Sequence, residues 1–343
     1  MTLSDVAHRA GVALSTASLV FSGRGPVAES TAERVRTAAR ELGYAGPDRL
    51  AARLRTGRTH VIGVSYDGTL NSVFSDPFQI SLLDGVAQAL DEEGYSLLLL
   101  PRPLGGTETI ALATHGMDAC LFALCNSSDP ETLDQLAARG IVMLGTGAPD
   151  DPRVVQLTIP DRRATAEVVG YLQSLGHQRI GHVAMPFRSH ARTGAVDRSA
   201  IEGAEFVDSR DRALGFLDAG GDVELIVEAA DLTIGAGDAA ARVLLERDDR
   251  PSALVCQSDL LAVGAIRAGE ALGLEVPRDL SVVGFDGVDL PWFSGTLTTV
   301  DQHGTEKGRT LGRMALALLA GEEVGSQEFP VRLRVGTTTG AQR

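Results

Sequence analysis

Apolar and polar residues follow two rhythms along this chain. Through the first 43 residues the apolar positions recur at helical spacing. A first short helix runs through Asp5, Val6, Ala7 and Ala10, with Ser4 or Thr2 placed to cap it and Gly11 to stop it. A tight turn at Val12 and Ala13 leads to a second helix, Leu14 to Phe21. A loop rich in Gly and Pro from Ser22 to Pro26 precedes a third, Thr31 to Leu42, which sets Val35, Ala38, Ala39 and Leu42 on one face and ends at Gly43. Two short helices joined by a glycine-containing turn and braced by a third form a helix-turn-helix pattern. Gly46 and Pro47 then break the chain. The Arg-rich stretch Asp48 to Thr56 predicts at most a marginal helix.

From His60 the rhythm changes to short apolar runs alternating with helical stretches. Strands are predicted at Val61–Ser65, Tyr95–Leu100, Ala119–Leu124, Ile141–Gly145 and Val154–Ile159, then at Ile180–Met185, Val223–Val227, Ala253–Cys256 and Ser281–Phe285. Helices are predicted between them, such as Pro77–Glu92, Ala164–Leu175, Ala236–Glu246 and Leu260–Leu272. The strands are continuous apolar runs, as parallel strands covered on both faces require. Two successive sets predict an α/β chain with a helix-turn-helix three-helix head and two doubly wound parallel-sheet lobes, with a ligand cleft at the carboxyl ends of the strands. Residues 188–208 fit neither rhythm and are expected to form a long loop with a helical turn near Ser199 to Ala204.

Charge sharpens the division. The net charge is −14, yet residues 1–60 hold nine Arg against five acids, a local +4, leaving −18 to the remainder. Four of those Arg fall between Arg49 and Arg58 with no acid among them. A basic head on an acidic body suits local contact with DNA by a protein whose body the phosphates repel. No run of 18 apolar residues exists and the N-terminus lacks the apolar stretch of a signal peptide, so no membrane segment is expected and the cytoplasm is the expected location. Cys120, Cys125 and Cys256 form no CxxC pair and are expected to be buried, reduced thiols.

The stretch Thr2 to Gly23, TLSDVAHRAGVALSTASLVFSG, resembles the signature of the LacI/GalR family of transcriptional regulators. The resemblance continues through Val27, Glu41-Leu42-Gly43-Tyr44, Leu50-Ala51-Ala52-Arg53-Leu54, Leu175-Gly176-His177, Ser258-Asp259, Val283-Gly284-Phe285-Asp286 and Leu297 to Gln302. It implies a helix-turn-helix domain at 1–45, a hinge at 46–58 and a two-lobed core like the periplasmic binding proteins at 59–343. The first lobe would take about 59–160 plus 302–326, and the second about 161–301 plus 327–343. It further implies a homodimer that binds double-stranded operator DNA as a repressor under control of a sugar-like or other polar small-molecule effector. No catalytic residue, cofactor or metal is expected.

On this resemblance Leu14, Ser15 and Leu19 of the recognition helix face base edges. Leucines offer only apolar contact, best matched to a thymine methyl, and Ser15 discriminates little. Thr2, Thr16, Ser18 and Ser22 carry hydroxyls suited to phosphates, or alternatively to capping helices. Leu54, with Ala51 beside it, matches the hinge residue that wedges into the minor groove, or else packs on the core. Tyr44 and Pro47 stand one residue further apart than is common in the family. In the core, Phe78, Asp161, Arg212, Ser258, Asp286 and Gln302 match effector-binding positions. Asp161 could instead cap its helix, Asp286 serve as a turn residue and Arg212 form a surface ion pair.

Two other function classes fit the doubly wound pattern less well. A transport solute-binding protein would carry a signal peptide and no helix-turn-helix. A nucleotide enzyme needs a phosphate loop after its first strand, and Ser65-Tyr66-Asp67-Gly68 is too poor in glycine. The GxGxxA run at Gly235 to Ala240 does not follow a buried strand, and His177 and His182, five apart, are expected to be structural.

Overall fold

The structure, a computed structural model, describes residues 1–22, 25–44, 58–102, 115–124 and 130–342. The chain divides into two compact units, Met1–His60 and Val61–Arg343. The first contains three helices, α1 (Leu3–Ala10), α2 (Leu14–Ser22) and α3 (Glu29–Glu41). Thr2 caps α1 through a reciprocal pair of bonds. Its Oγ1 accepts from the Asp5 amide at 3.3 Å, and Asp5 Oδ2 accepts from the Thr2 amide at 2.8 Å. Gly11 ends the helix at φ 65°, the left-handed conformation that turns the chain into α2 and that a side chain would strain. Val6, Ala7, Ala10, Ala17, Val35, Ala38 and Ala39 form the core of this unit. Small residues let three short helices approach closely enough to exclude water.

The second unit begins with β1 (Val61–Asp67), the short α4 (Leu70–Val73), α5 (Pro77–Glu92), β2 (Ser96–Arg102), β3 (Ala119–Leu124), α6 (Pro130–Ala138), β4 (Val142–Gly145) and β5 (Val154–Thr158). It continues through α7 (Asp161–Ser174), β6 (Ile180–Ala184), β7 (Gly194–Ala195), α8 (Arg198–Glu202), α9 (Val207–Asp218), β8 (Ile226–Glu228), α10 (Ile234–Leu245), β9 (Ala253–Cys256), α11 (Asp259–Ala271), β10 (Ser281–Asp286) and β11 (Thr298–Asp301). The chain ends with α12 (Gly304–Ala320), β12 (Gln327–Glu328) and β13 (Arg332–Arg334).

Two sheets result, ordered β12-β5-β4-β3-β1-β2 and β13-β11-β10-β9-β6-β8-β7. The first is parallel throughout, and the second is parallel except for β13 and β7 at its edges. Every residue of β6, β9 and β10 is buried, which accounts for their unbroken apolar character. Each sheet has an apolar cluster on both faces. α5 and α12 cover one side of the first sheet and α6 the other, while α10 and α11 face α7 and α9 across the second.

Several details differ from the sequence expectation. Residues 188–208 are not one long loop: β7 pairs antiparallel with β8, Asp197 caps α8, and α9 begins at Val207. The helical turn expected near Ser199 to Ala204 is present as α8, whereas a two-residue strand is too short to show a period. Val223 to Leu225 form a 3-10 turn, and the strand expected there begins at Ile226. Asp222, accepting from the Glu224 amide, favours the turn. Gln327 and Glu328 pair with β5, so the return to the second lobe follows Glu328 rather than preceding Gln327. Gly237 of the GxGxxA run, with Gly264 on the facing helix, serves helix packing. A Cβ on Gly237 would lie 2.5 Å from the Leu261 carbonyl oxygen, and one on Gly264 would lie 2.2 Å from that of Ile234. Cys120 and Cys256 are buried free thiols, and Cys125 lies outside the described residues. Among the described residues no helix is long and apolar enough to cross a membrane.

The tightest helix contact is between α5 and α12. A Cβ on Gly85 would meet the Thr305 carbonyl oxygen at 1.9 Å, and one on Gly308 the Leu82 carbonyl oxygen at 2.0 Å. Gly85→Ala must part the two helices and is expected to cost about 1–3 kcal/mol. Gly170→Ala, at an exposed mid-helix site with nothing within 4 Å of the new Cβ, should instead add about 0.5–1 kcal/mol. Thermal unfolding of the two variants should move in opposite directions from wild type.

Candidate functional site

In the head, the face of α2 predicted to read DNA is presented outward. Leu14 and Leu19 are 53% and 38% exposed, unusual for large apolar side chains. Ser15 and Ser18 are exposed beside them, Thr16 is half-buried, and Ala17 anchors the opposite face in the core. The first turn of α2 carries no acidic side chain, so its helix dipole is open to a phosphate. Ser22 closes the helix. The Thr2 hydroxyl is engaged in the cap of α1, the alternative weighed for it. Arg9 pairs with Glu41, Arg36 with Glu29 and Arg40 with Glu33, each at 3.0 Å or less. The positive excess of this region therefore rests on the arginines beyond Asp48. Ala51 and Leu54 fall there, outside the described residues, as does the expected hinge apart from Arg58.

The core brings its six predicted residues to one place. Phe78, Asp161, Arg212, Ser258, Asp286 and Gln302 all line a single cavity between the two sheets. The cavity holds about 70 Å³ and opens into a groove of about 680 Å³ that shares Asp76, Gln79, Met185, Asp208 and Leu232 with it. The smaller space fits about two waters; the larger accommodates a small polar molecule.

Local structure places each side chain. Asp76 accepts from the Phe78 amide at the start of α5, with Pro77 in the first turn, and so aims Phe78 into the cavity. Asp161 is the first residue of α7, just after the chain passes from β5 into the second lobe. Arg212 reaches from α9 to donate through Nε to Asp161 Oδ1 at 2.7 Å and through a terminal nitrogen to the Gln257 carbonyl at 2.6 Å. Its guanidinium carbon lies 3.7 Å from the Phe285 ring centroid. This is no surface ion pair: the side chains are only 5% and 14% exposed. Burial pushes the Asp161 carboxyl up, and Arg212 opposes that rise. Burial also works against the Arg212 charge, but Asp161, Asp208 and Asp286 together hold it on.

Beneath Arg212, Gln257 is bonded at every polar atom of its side chain that faces the core. Its Oε1 accepts from the Met185 amide and the Ser209 hydroxyl, and its Nε2 contacts the Ser209 carbonyl and His182. His182 stacks on Phe216, and burial lowers its pKa to about 3, so it is a neutral structural group. His177 is likewise structural, held by Ser252, Ser281 and the Gly340 carbonyl.

On the other wall, Ser258 caps α11 by accepting from the Leu261 amide. Asp286 ends β10 at φ 133°. Its Oδ1 accepts from Gln302 Nε2 at 2.9 Å and its Oδ2 from the Asp259 amide at 3.2 Å. Burial, then the neighbouring Asp259, holds the Asp286 carboxyl well above the usual carboxylate range. Asp259 in turn accepts from the Gly287 and Val288 amides and from the Thr299 hydroxyl, fixing the turn that aims Asp286. Gln302 Oε1 accepts from Lys307 at 3.2 Å.

Sequence reasoning missed Asp76, Gln79, Asp208 and Lys307 in this lining. For Lys307 a signal existed. It stands in helical register with the buried Leu311, Met314 and Ala315, a place where a lysine has no structural reason to be. Among the described residues no cluster of His, Cys, Asp or Glu is arranged to hold a metal.

Comparison with known proteins agrees with both halves. Residues 2–46 match the family described as bacterial regulatory proteins, lacI family, and residues 169–339 match a periplasmic binding protein-like domain. The chain is 34% identical over 337 residues to the HTH-type transcriptional regulator MalR of Streptomyces coelicolor, covering 95% of this chain and 92% of that one. It is 32% identical over 326 residues to an HTH-type transcriptional regulator of Mycobacterium tuberculosis, covering 92% and 90%. Among solved structures, it resembles the lac repressor dimer bound to operator and the anti-inducer ONPF, with TM-score 0.79, 26% identity and 99% coverage of both chains. It also resembles the transcriptional regulator CelR in complex with cellobiose, with TM-score 0.69, 28% identity and coverage of 98% and 99%. The chain therefore belongs to the lacI family of bacterial regulatory proteins, transcriptional regulators that join a DNA-binding helix-turn-helix to an effector-binding domain.

Proposed function

We propose that this protein is a homodimeric repressor whose operator affinity is set by a polar, hydroxyl-bearing small molecule held between the lobes by Asp161, Arg212, Ser258, Asp286 and Gln302. The observation that carries the reading is the convergence of those residues and Phe78, drawn from α5, α7, α9, α11, β10 and the crossover after β11, on one cavity. Fixed donors and acceptors around a small apolar wall are what a polyol requires. Relatives solved with cellobiose and with a lac anti-inducer support a sugar-like ligand. A ligand that bridges both walls favours one lobe arrangement by its difference in affinity for the two, and that difference is what can reach the DNA-binding head.

In the head, Leu14, Ser15 and Leu19 are proposed to meet base edges, and Thr16, Ser18 and Ser22 to meet phosphates. Thr2 positions the helices through its cap. Ala51 and Leu54 are proposed as the minor-groove element.

The first test is enrichment of bound sequences from a random duplex pool, followed by anisotropy titration on the consensus. A palindromic consensus is expected, with affinity falling steeply as salt rises; absence of any consensus would refute sequence-specific binding by this chain. Leu14→Ala and Leu19→Ala should each weaken that complex by about 1 kcal/mol, roughly fivefold, with unchanged circular dichroism. For the cleft, Arg212→Met alone should destabilise the core by about 3–5 kcal/mol, because it strands the buried Asp161. The double variant Arg212→Met with Asp161→Asn should recover most of that stability and keep operator affinity while losing release by sugars. Retained release would remove these two residues from the ligand site.

A further inference from the structure

This inference rests on the cleft being the ligand site and concerns what kind of ligand it takes. Lys307 is 4% exposed and lies in the cavity wall, carried there by the first turn of α12. Of its three ammonium donors one has a partner, Gln302 Oε1 at 3.2 Å, and the Phe78 ring centroid lies 5.7 Å away. Among the described residues no carboxylate forms an ion pair with it, whereas Arg212, the other cation in the cavity, is matched by Asp161. Burial pulls the Lys307 pKa down to about 8, and the surrounding Asp161, Asp208 and Asp286 do not restore it. A buried ammonium without a counterion costs stability, and an apolar residue at this position in α12 would avoid that cost.

The cavity carboxylates are already engaged. Asp161 is bound to Arg212, Asp286 accepts from Gln302 and the Asp259 amide, Asp76 caps α5, and Asp208 accepts from the Ser209 amide. An adjoining pocket, which shares Asp161 and Asp208 with the cavity, adds Glu205 and Asp211. That acidic rim disfavours polyanions but tolerates a single negative group delivered to the interior by a largely neutral body.

We propose that the cleft ligand carries one anionic group, a carboxylate or a phosphate, that docks on the Lys307 ammonium, so that Lys307 determines specificity for a charged over a neutral sugar-like molecule.

Thermal unfolding of the full chain tests this with minimal probes, inorganic phosphate and acetate, each against chloride at equal ionic strength. Lys307→Met is the variant, unbranched and of similar length. Without added anion the variant should unfold at a higher temperature than wild type, since it removes an unpaired charge. At least one of the two anions should raise the wild-type unfolding temperature, and apparent affinity for it should fall about tenfold in the variant, the worth of one charge-assisted hydrogen bond. Which anion responds distinguishes phosphate from carboxylate, and glucose 6-phosphate or gluconate compared with glucose should then repeat the preference. A lower unfolding temperature in the variant, or equal responses of both proteins to both anions, overturns the proposal. Cellobiose stabilising wild type and variant alike would also overturn it, while leaving the cleft itself as the ligand site.

Discussion

Gln302 stands where the chain leaves the second lobe for the first, and its side-chain amide is bonded in both directions. Nε2 donates to Asp286 at the end of β10, and Oε1 accepts from Lys307 on α12. It is 1% exposed, so neither bond can be exchanged for water without opening the cleft. The crossover, the carboxylate that ends β10 and the helix that returns to the first lobe are thus set by one planar group. A ligand that competes for Asp286 or Lys307 acts directly on the connection between lobes. That is the kind of element whose two arrangements an effector can bias.

This connection requires a rigid anchor on each side. In the first lobe the anchor is the glycine-lined contact of α5 with α12, where Gly85 and Gly308 bring backbone against backbone. That contact leaves little freedom in where Phe78 and Lys307 sit. In the second lobe Asp259 ties the Gly287 and Val288 amides and the Thr299 hydroxyl together, while Gln257 does the same for β6, β9 and α9. One group of buried polar residues, Gln257, Asp259, Asp286 and Gln302, lies beside the cleft and holds its side chains in place, while another, around His177, Ser281 and Thr338, ties down the C-terminal segment. Charge follows the same economy: Arg212 is neutralised inside the fold, and Lys307 is left for what enters.

The head works by the opposite rule. Its core is built from alanines and valines, and the exposed face of α2 offers leucines and serines with few directional bonds. Such a surface offers little hydrogen-bonding code, and Arg9, Arg36 and Arg40 are occupied by the head's own glutamates. The local positive excess of residues 1–60 lies instead in the arginine-rich segment that follows Pro47, with four Arg between Arg49 and Arg58.

The sequence by itself determined the division into a helical head and a parallel α/β core, because helical and strand periods are properties of neighbouring residues. The six cleft residues were legible only through the resemblance to the LacI/GalR family, which local landmarks helped to align: Asp161 at a helix start, Ser258 at a cap, Asp286 at a strand end, Gln302 after an apolar run. Only the tertiary structure decided which of them meet, that Arg212 is buried against Asp161 rather than paired at the surface, and that Lys307 joins them. Those facts depend on segments distant in sequence being brought together by the sheets, as Arg212 and Asp161 are across 51 residues, and no local pattern carries that information. The same holds for β7 and β12. These two-residue strands are too short to have a period of their own, and form because a neighbouring strand satisfies their backbone.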